Sequence, residues 1–132
     1  MRVAEVMRTE LRTIPASATV SQAISTLLEA RISSIPVLSQ QRPVGVVSQA
    51  DVLRAAMESD GDGRPRWAAD RTPVAAIMSP WPPAVSPGTR VTDAARTMLY
   101  LDLKRVYVVD EGALVGVVSQ TDIADAVATA RL

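Results

Sequence analysis

The chain contains no cysteine, no histidine and no phenylalanine, and two tryptophans and two tyrosines are its whole aromatic complement. Lack of cysteine excludes disulfides and thiolate nucleophiles, and lack of histidine excludes Ser-His and Cys-His catalytic pairs and nearly all zinc chemistry. Net charge is also missing: fourteen Lys and Arg balance fourteen Asp and Glu, so no global field draws the chain onto nucleic acid or an anionic membrane. No apolar run approaches the roughly eighteen residues of a membrane span. The start, Met1-Arg2-Val3-Ala4-Glu5-Val6-Met7, has neither the apolar stretch nor the cleavage site of a signal peptide. The expectation is a cytoplasmic protein with no metal, no nucleic-acid partner and no membrane partner. Carboxylates, hydroxyls, Arg, Lys and backbone are what remain to hold a ligand.

What is present is a repeat. Gly45-Val46-Val47-Ser48-Gln49-Ala50-Asp51 returns as Gly116-Val117-Val118-Ser119-Gln120-Thr121-Asp122, six of seven residues unchanged. The same offset of 71 residues carries Met7 to Met78, Val20 to Val91, Ala23 to Ala94 and Val37 to Val108 without a gap. At 132 residues the chain has the length of one domain. Two copies of a unit too small to close its own core should bury their apolar faces together, giving internal pseudo-twofold symmetry.

Within each copy the pattern is mixed α/β (α+β). A short helical lead-in, residues 3–7 or 74–78, ends at a Met and passes into a proline-marked extended stretch, Thr13-Ile14-Pro15 or Ala84-Val85-Ser86-Pro87. Val20, Ala23, Ile24, Leu27 and Leu28 form the stripe of an amphipathic helix, with Thr19 and Gln22 as a capping box. Val91, Ala94, Ala95, Met98 and Leu99 repeat the stripe, with Thr89 and Asp93 as the available cap. Two short β runs follow, joined by polar loops at Ser39–Pro43 and Asp110–Ala113. Pro36 has no N–H for a ladder, which predicts an edge strand or a strand start. A last helix closes each copy, from Gln49 to about Met57 and from Gln120 to about Ala130. Residues 58–72 read as a polar linker, mobile at Asp60-Gly61-Asp62-Gly63, with Trp67 docked on the protein's own surface. Trp81 is expected as a packed loop residue.

The Ser-x-x-Asp at each strand-to-helix junction has two readings. As a capping box it satisfies the first free N–H groups of the helix. As a site, the exposed N–H groups and the Ser hydroxyl receive a phosphate, while the ionised Asp accepts hydrogen bonds from the vicinal hydroxyls of a ribose.

On Val3 to Met7, the helix from Val20, Ser33-Ser34-Ile35-Pro36-Val37, the Gly45 to Asp51 motif and their second copies, the chain resembles a tandem pair of cystathionine-β-synthase (CBS) domains, a Bateman module. The resemblance implies two β-α-β-β-α units with pseudo-twofold symmetry, the first repeat at 1–57, the linker at 58–72 and the second repeat at 73–132. It also implies two clefts between the repeats that bind AMP, ADP, ATP or S-adenosylmethionine, regulation of an attached or partner protein not yet identified, and a homodimer. By motif position one cleft takes Ser48 and Asp51 with Lys104 and Arg105 from the second copy, and the other takes Ser119 and Asp122 with Ile32, Ser33 and Ser34. Thr13, Ile14 and Val85 lie where the family offers backbone to the base. A phosphate-rich ligand is then expected in the cleft holding Arg105. Asp51→Ala is expected to abolish binding with little loss of fold.

The alternative is a ligand-free interaction or dimerisation module in which the motifs act only as caps. An enzyme is not expected, since neither Asp51 nor Asp122 has a nucleophile and base beside it. Apolar Leu53, Ile123 and Val127 on the closing helices favour self-association.

Overall fold

The computed structural model describes residues 1–58 and 70–129. The expected linker glycines, Trp67 and the helix end at Ala130 lie outside the described residues. The chain forms two compact units, one of Arg12–Trp81 and one of Met1–Leu11 with Pro82–Leu132.

The contiguous unit runs β1 (Ile14–Pro15), α1 (Val20–Ala30), β2 (Ser34–Ser39), β3 (Arg42–Ser48), α2 (Gln49–Met57) and β4 (Ser79–Pro80), with a 3-10 turn at Val74–Ala76 before β4. Its sheet has the order β1-β2-β3-β4, parallel between β1 and β2 and antiparallel elsewhere. The cap of α1 forms as the sequence predicts: the Gln22 N–H donates to Thr19 Oγ1 at 3.2 Å and the Thr19 N–H to Gln22 Oε1 at 2.9 Å. Arg31, with φ 53°, ends the helix in the left-handed region. Ala23 and Leu27 of α1 pack on Ile35, Val37 and Val47 of the sheet and on Val74 of the 3-10 turn. Each such aliphatic side chain removed from water contributes roughly 1.5–3 kcal/mol.

The second unit repeats the pattern with β5 (Ala84–Val85), α3 (Val91–Tyr100), β6 (Arg105–Asp110), β7 (Ala113–Ser119) and α4 (Gln120–Ala128). Its sheet has the order β5-β6-β7. The start of the chain completes this unit. A 3-10 turn at Val3–Glu5 is tied down by Val3 N–H to Thr89 O at 2.8 Å and Ala4 N–H to Pro87 O at 3.0 Å, and Arg8 exchanges two backbone bonds with Val117, at 2.9 and 3.0 Å. Val3 joins Ala94, Met98, Val106, Val108 and Val118 in the core, with Val6 and Met7 packed against it.

Sequence repeats and compact units are therefore different divisions. The segment around Met78 opens the second repeat but packs with the first, and the segment around Met7 opens the first repeat but packs with the second. Two glycines make this possible. A Cβ on Gly45 would lie 2.6 Å from Met78 Sδ and 2.7 Å from the Ser79 carbonyl oxygen, and one on Gly116 would lie 2.7 Å from Met7 Sδ and 3.0 Å from the Arg8 carbonyl oxygen. The opening glycine of each heptapeptide admits the Met-ended lead-in.

Three local expectations change, and one pairing is new. Pro36 is buried in an interior strand, but β1 begins pairing only at Val37, so the proline sits just before β2 gains its second neighbour. The hairpin loops are two residues rather than four or five: Gln40 and Gln41, and Glu111 and Gly112, all have positive φ, as a tight turn matched to strand twist requires. Thr89 does not cap α3, because its Oγ1 accepts from the Ser86 N–H at 3.0 Å and the cap position, Arg90, has no side-chain bond. The short pairing of Ser79–Pro80 was not expected from sequence at all. Trp81 is half-buried, as a packed loop residue should be.

Candidate functional site

Each heptapeptide turns from strand to helix at its serine. In the contiguous unit Ser48 is the N-cap of α2, its Oγ accepting from the Asp51 N–H at 3.1 Å, while Asp51 Oδ2 accepts from the Ser48 N–H at 2.8 Å and from its hydroxyl at 3.0 Å. The other carboxylate oxygen of Asp51 accepts from the Ser79 hydroxyl at 2.6 Å and from the Arg54 guanidinium. Four donors on one carboxylate explain how Asp51 can be only 3% exposed.

In the second unit Ser119 Oγ accepts from the Asp122 N–H at 3.1 Å, and Asp122 Oδ2 accepts from the Ser119 N–H at 2.9 Å. The remaining oxygen is held by Arg8, whose Nε donates to Oδ1 at 3.0 Å. Burial acts to raise the Asp122 carboxyl, but the Ser119 N–H, the Arg8 guanidinium and the Ser119 hydroxyl outweigh it and hold it below the ordinary carboxylate value. The Arg8 side chain is 70% exposed and that of Asp122 10%. Arg8, Arg105, Val117, Ser119, Thr121 and Asp122 line one open hollow of about 350 Å³.

Strand register decides which expected site residues meet within a unit. Arg105 is the Cα partner of Ser119, and the Lys104 carbonyl accepts from the Gln120 N–H at 2.9 Å, so both stand beside the Ser119 corner. Ser34 is the partner of Ser48 and the Ser33 carbonyl accepts from the Gln49 N–H at 3.1 Å, so both stand beside the Ser48 corner. The expected clefts join residues of different repeats, Arg105 with Ser48 and Asp51 and the serines with Ser119, whereas these pairings describe neighbours within one repeat. The hairpin sets these neighbours: the strand that carries these residues pairs along its whole length with the strand ending at the same repeat's Ser-x-x-Asp. Ile32 is half-buried and packs on the core of the contiguous unit, as does buried Ile14, and Val85 packs on the core of the second. Asp51→Ala, expected from sequence to disturb the fold little, would strip a buried acceptor from four donors.

Arg8 and Ser79 were missed as site residues. They occupy equivalent positions, each following the Met that ends a lead-in, and that equivalence is the signal the sequence offered. Arg54 stands three residues after Asp51 on α2, a spacing that brings side chains together on a helix. Among the described residues no cluster of three or more Asp and Glu could hold a metal ion, and no helix is long and apolar enough to cross a membrane.

The sequence profile of the CBS domain matches residues 3–58 and again 74–129. The CBS domain-containing protein YhcV of Bacillus subtilis is 28% identical over 122 residues, 92% of this chain and 82% of its own length. The crystal structure of CBSX2 in complex with AMP superposes with a TM-score of 0.80 at 27% identity, covering 99% of this chain and 98% of that one. The CBS domain pair of protein MJ0100, in complex with 5-methylthioadenosine and S-adenosyl-L-methionine, has the same fold at a TM-score of 0.75 and 18% identity, covering 98% of each chain. With two matched copies spanning nearly its whole length and two sheets and four helices among its described residues, the chain belongs to the CBS domain family as a tandem CBS pair.

Proposed function

We propose that this chain is a regulatory sensor that binds an adenosine-type ligand, AMP, ADP, ATP or S-adenosylmethionine, at its Ser-x-x-Asp corners, and that the Ser119–Asp122 corner is the one that takes nucleoside phosphates. The observation that carries this reading is the hollow beside Asp122, lined by two arginines, Arg8 and Arg105, together with one carboxylate, a serine and a threonine. Guanidinium forks pair with phosphate oxygens, and an ionised Asp is an acceptor for ribose hydroxyls. A protein 27% identical to this one has been solved in complex with AMP, which supports the same ligand class here. This reading puts the phosphates at the corner of Ser119, beside Arg105 of the same repeat, where the expectation from sequence joined Arg105 to Ser48 and Asp51. Ser48 and Asp51, with Ser33, Ser34 and Ile32 near them, form the less charged site, suited to an adenosyl group without phosphates. Ile14 and Val85 contribute backbone rather than side chain.

Self-association as a homodimer is part of the proposal. In each unit the two helices leave an apolar trough, lined by Ile24, Leu27, Leu28, Val52 and Leu53 in one and by Ala95, Met98, Leu99, Ile123 and Ala124 at the same repeat positions in the other. Leu28, Leu53, Met57, Leu99, Tyr100 and Val127 are exposed, and apolar side chains of this size in or beside the troughs are what a second copy would cover. Ligand binding would then act on a regulated protein through the dimer, provided it favours one of two states.

A second reading is favoured by the fact that protein donors already occupy both carboxylates: the corners are helix caps and the pair is an interaction module. A thermal-shift panel with AMP, ADP, ATP, NAD and S-adenosylmethionine separates the two. The sensor raises the melting temperature with at least one adenosyl ligand, and no shift at millimolar concentration leaves the interaction module standing.

A further inference from the structure

We infer that Arg8 is a displaceable gate on Asp122, and that this gate makes the Ser119–Asp122 site select adenosyl ligands with a phosphate over uncharged ones. The inference rests on the ligand class proposed above and specifies how one of the two sites discriminates within it.

A vicinal diol bound by a carboxylate uses both of its oxygens, and each oxygen of Asp122 already accepts from a protein donor, so a diol must crowd or displace one of them. The bond from the Ser119 N–H to Oδ2 belongs to the cap of α4 and is fixed by the backbone. The bond from Arg8 to Oδ1 is made by a long side chain that is 70% exposed. Arg8 is therefore the group that yields. Displacing it leaves a cation without its anion beside the ligand. A phosphate gives that guanidinium a new partner, and Arg105 lines the same hollow as a second one. An uncharged adenosyl compound breaks the same ion pair and returns nothing for it. Discrimination then arises from a contact that must be broken as much as from one that is made.

The other corner is a built-in control. Its position equivalent to Arg8 is Ser79, whose hydroxyl closes on Asp51, and its position equivalent to Arg105 is Ser34. The arginine on Asp51 is Arg54, carried on the same helix as the carboxylate. A gate carried on the lead-in is thus confined to the second unit.

The test is an NMR titration of the parent, Arg8→Gln and Arg8→Lys with AMP and with adenosine, followed at the backbone amides of Ser119 and Asp122 so that this site is read alone. In the parent AMP binds more tightly than adenosine. Arg8→Gln weakens AMP about tenfold, as loss of a charged hydrogen bond does, and tightens adenosine about two- to fivefold, the size of an exposed ion pair. Arg8→Lys retains part of the AMP preference. Amide shifts elsewhere in the unit stay in place, which checks the fold. An Arg8→Gln variant that binds adenosine no better than the parent overturns the gate while leaving the ligand class intact. A parent whose Ser119 and Asp122 resonances respond to neither compound removes the ligand reading and the gate with it.

Discussion

At position 79 the first corner carries a serine whose hydroxyl closes on a carboxylate that water hardly reaches, and at the matching position 8 the second carries an arginine that holds its carboxylate from the solvent side. The backbone is the same in both places: a glycine that admits the lead-in, two valines, a serine cap and an aspartate one turn into the helix. What differs is how reversible the last hydrogen bond is. Asp51 is held by donors from three residues, Ser48, Arg54 and Ser79, whereas one exposed guanidinium stands between Asp122 and the hollow. A duplicated motif can therefore keep its geometry and divide its roles, one copy weighted toward structure and the other toward an exchangeable contact.

The comparison breaks most severely at the glycines. Gly45→Ala drives a Cβ against a backbone carbonyl as well as a methionine, and should cost about 3 kcal/mol in urea unfolding; Gly116→Ala, with slightly more room, should cost about 1 kcal/mol less. Equal losses would show that the two lead-ins are seated alike. Next come the carboxylates. Asp51→Ala should lose about 2 kcal/mol by removing an acceptor from buried donors, and Asp122→Ala about 1 kcal/mol, mainly the lost cap. A larger loss at Asp122 would reverse the proposed division of roles.

Acid sharpens the contrast further. Because the folded Asp122 carboxyl lies below its unfolded value, near 3.9 for an aspartate, it contributes stability that is present above that value and is lost as pH falls through the folded one. Unfolding followed by circular dichroism between about pH 5 and pH 2 should show that loss, and Arg8→Gln should make it smaller. The smallest effect is that of Arg8→Gln at neutral pH, about 0.5 kcal/mol or less, since an exposed ion pair contributes little. A loss above about 2 kcal/mol would mean that Arg8 is a structural residue and no gate.

Local chemistry was legible in the sequence. The stripe of α1 with its Thr19–Gln22 cap and the Ser-x-x-Asp caps depend on residues within a few positions of one another, and all formed. Long-range pairing was not legible. A two-residue strand such as Ser79–Pro80 has no period to detect, and Arg8 reaches Asp122 across 114 positions, a distance over which spacing carries no information. Which serines and arginines flank which corner within a repeat follows from hairpin register, and the two-residue turns that set it, Gln40-Gln41 and Glu111-Gly112, lack the Asn-Gly pattern that announces them. The apolar helix faces, by contrast, were visible as Leu53 and Val127 before any fold was known, and they are exposed.

The exchange of lead-ins has a consequence for the order in which the chain can fold as it is synthesised. Every residue of the unit Arg12–Trp81 is available once Trp81 has emerged, so this unit can close while the rest is still being translated. The first eleven residues cannot do the same. Val3, Val6 and Met7 belong to a core whose other walls, Met98, Val106 and Val118, come later, so the earliest part of the chain is among the last to be buried, and its apolar side chains stay in water in the meantime.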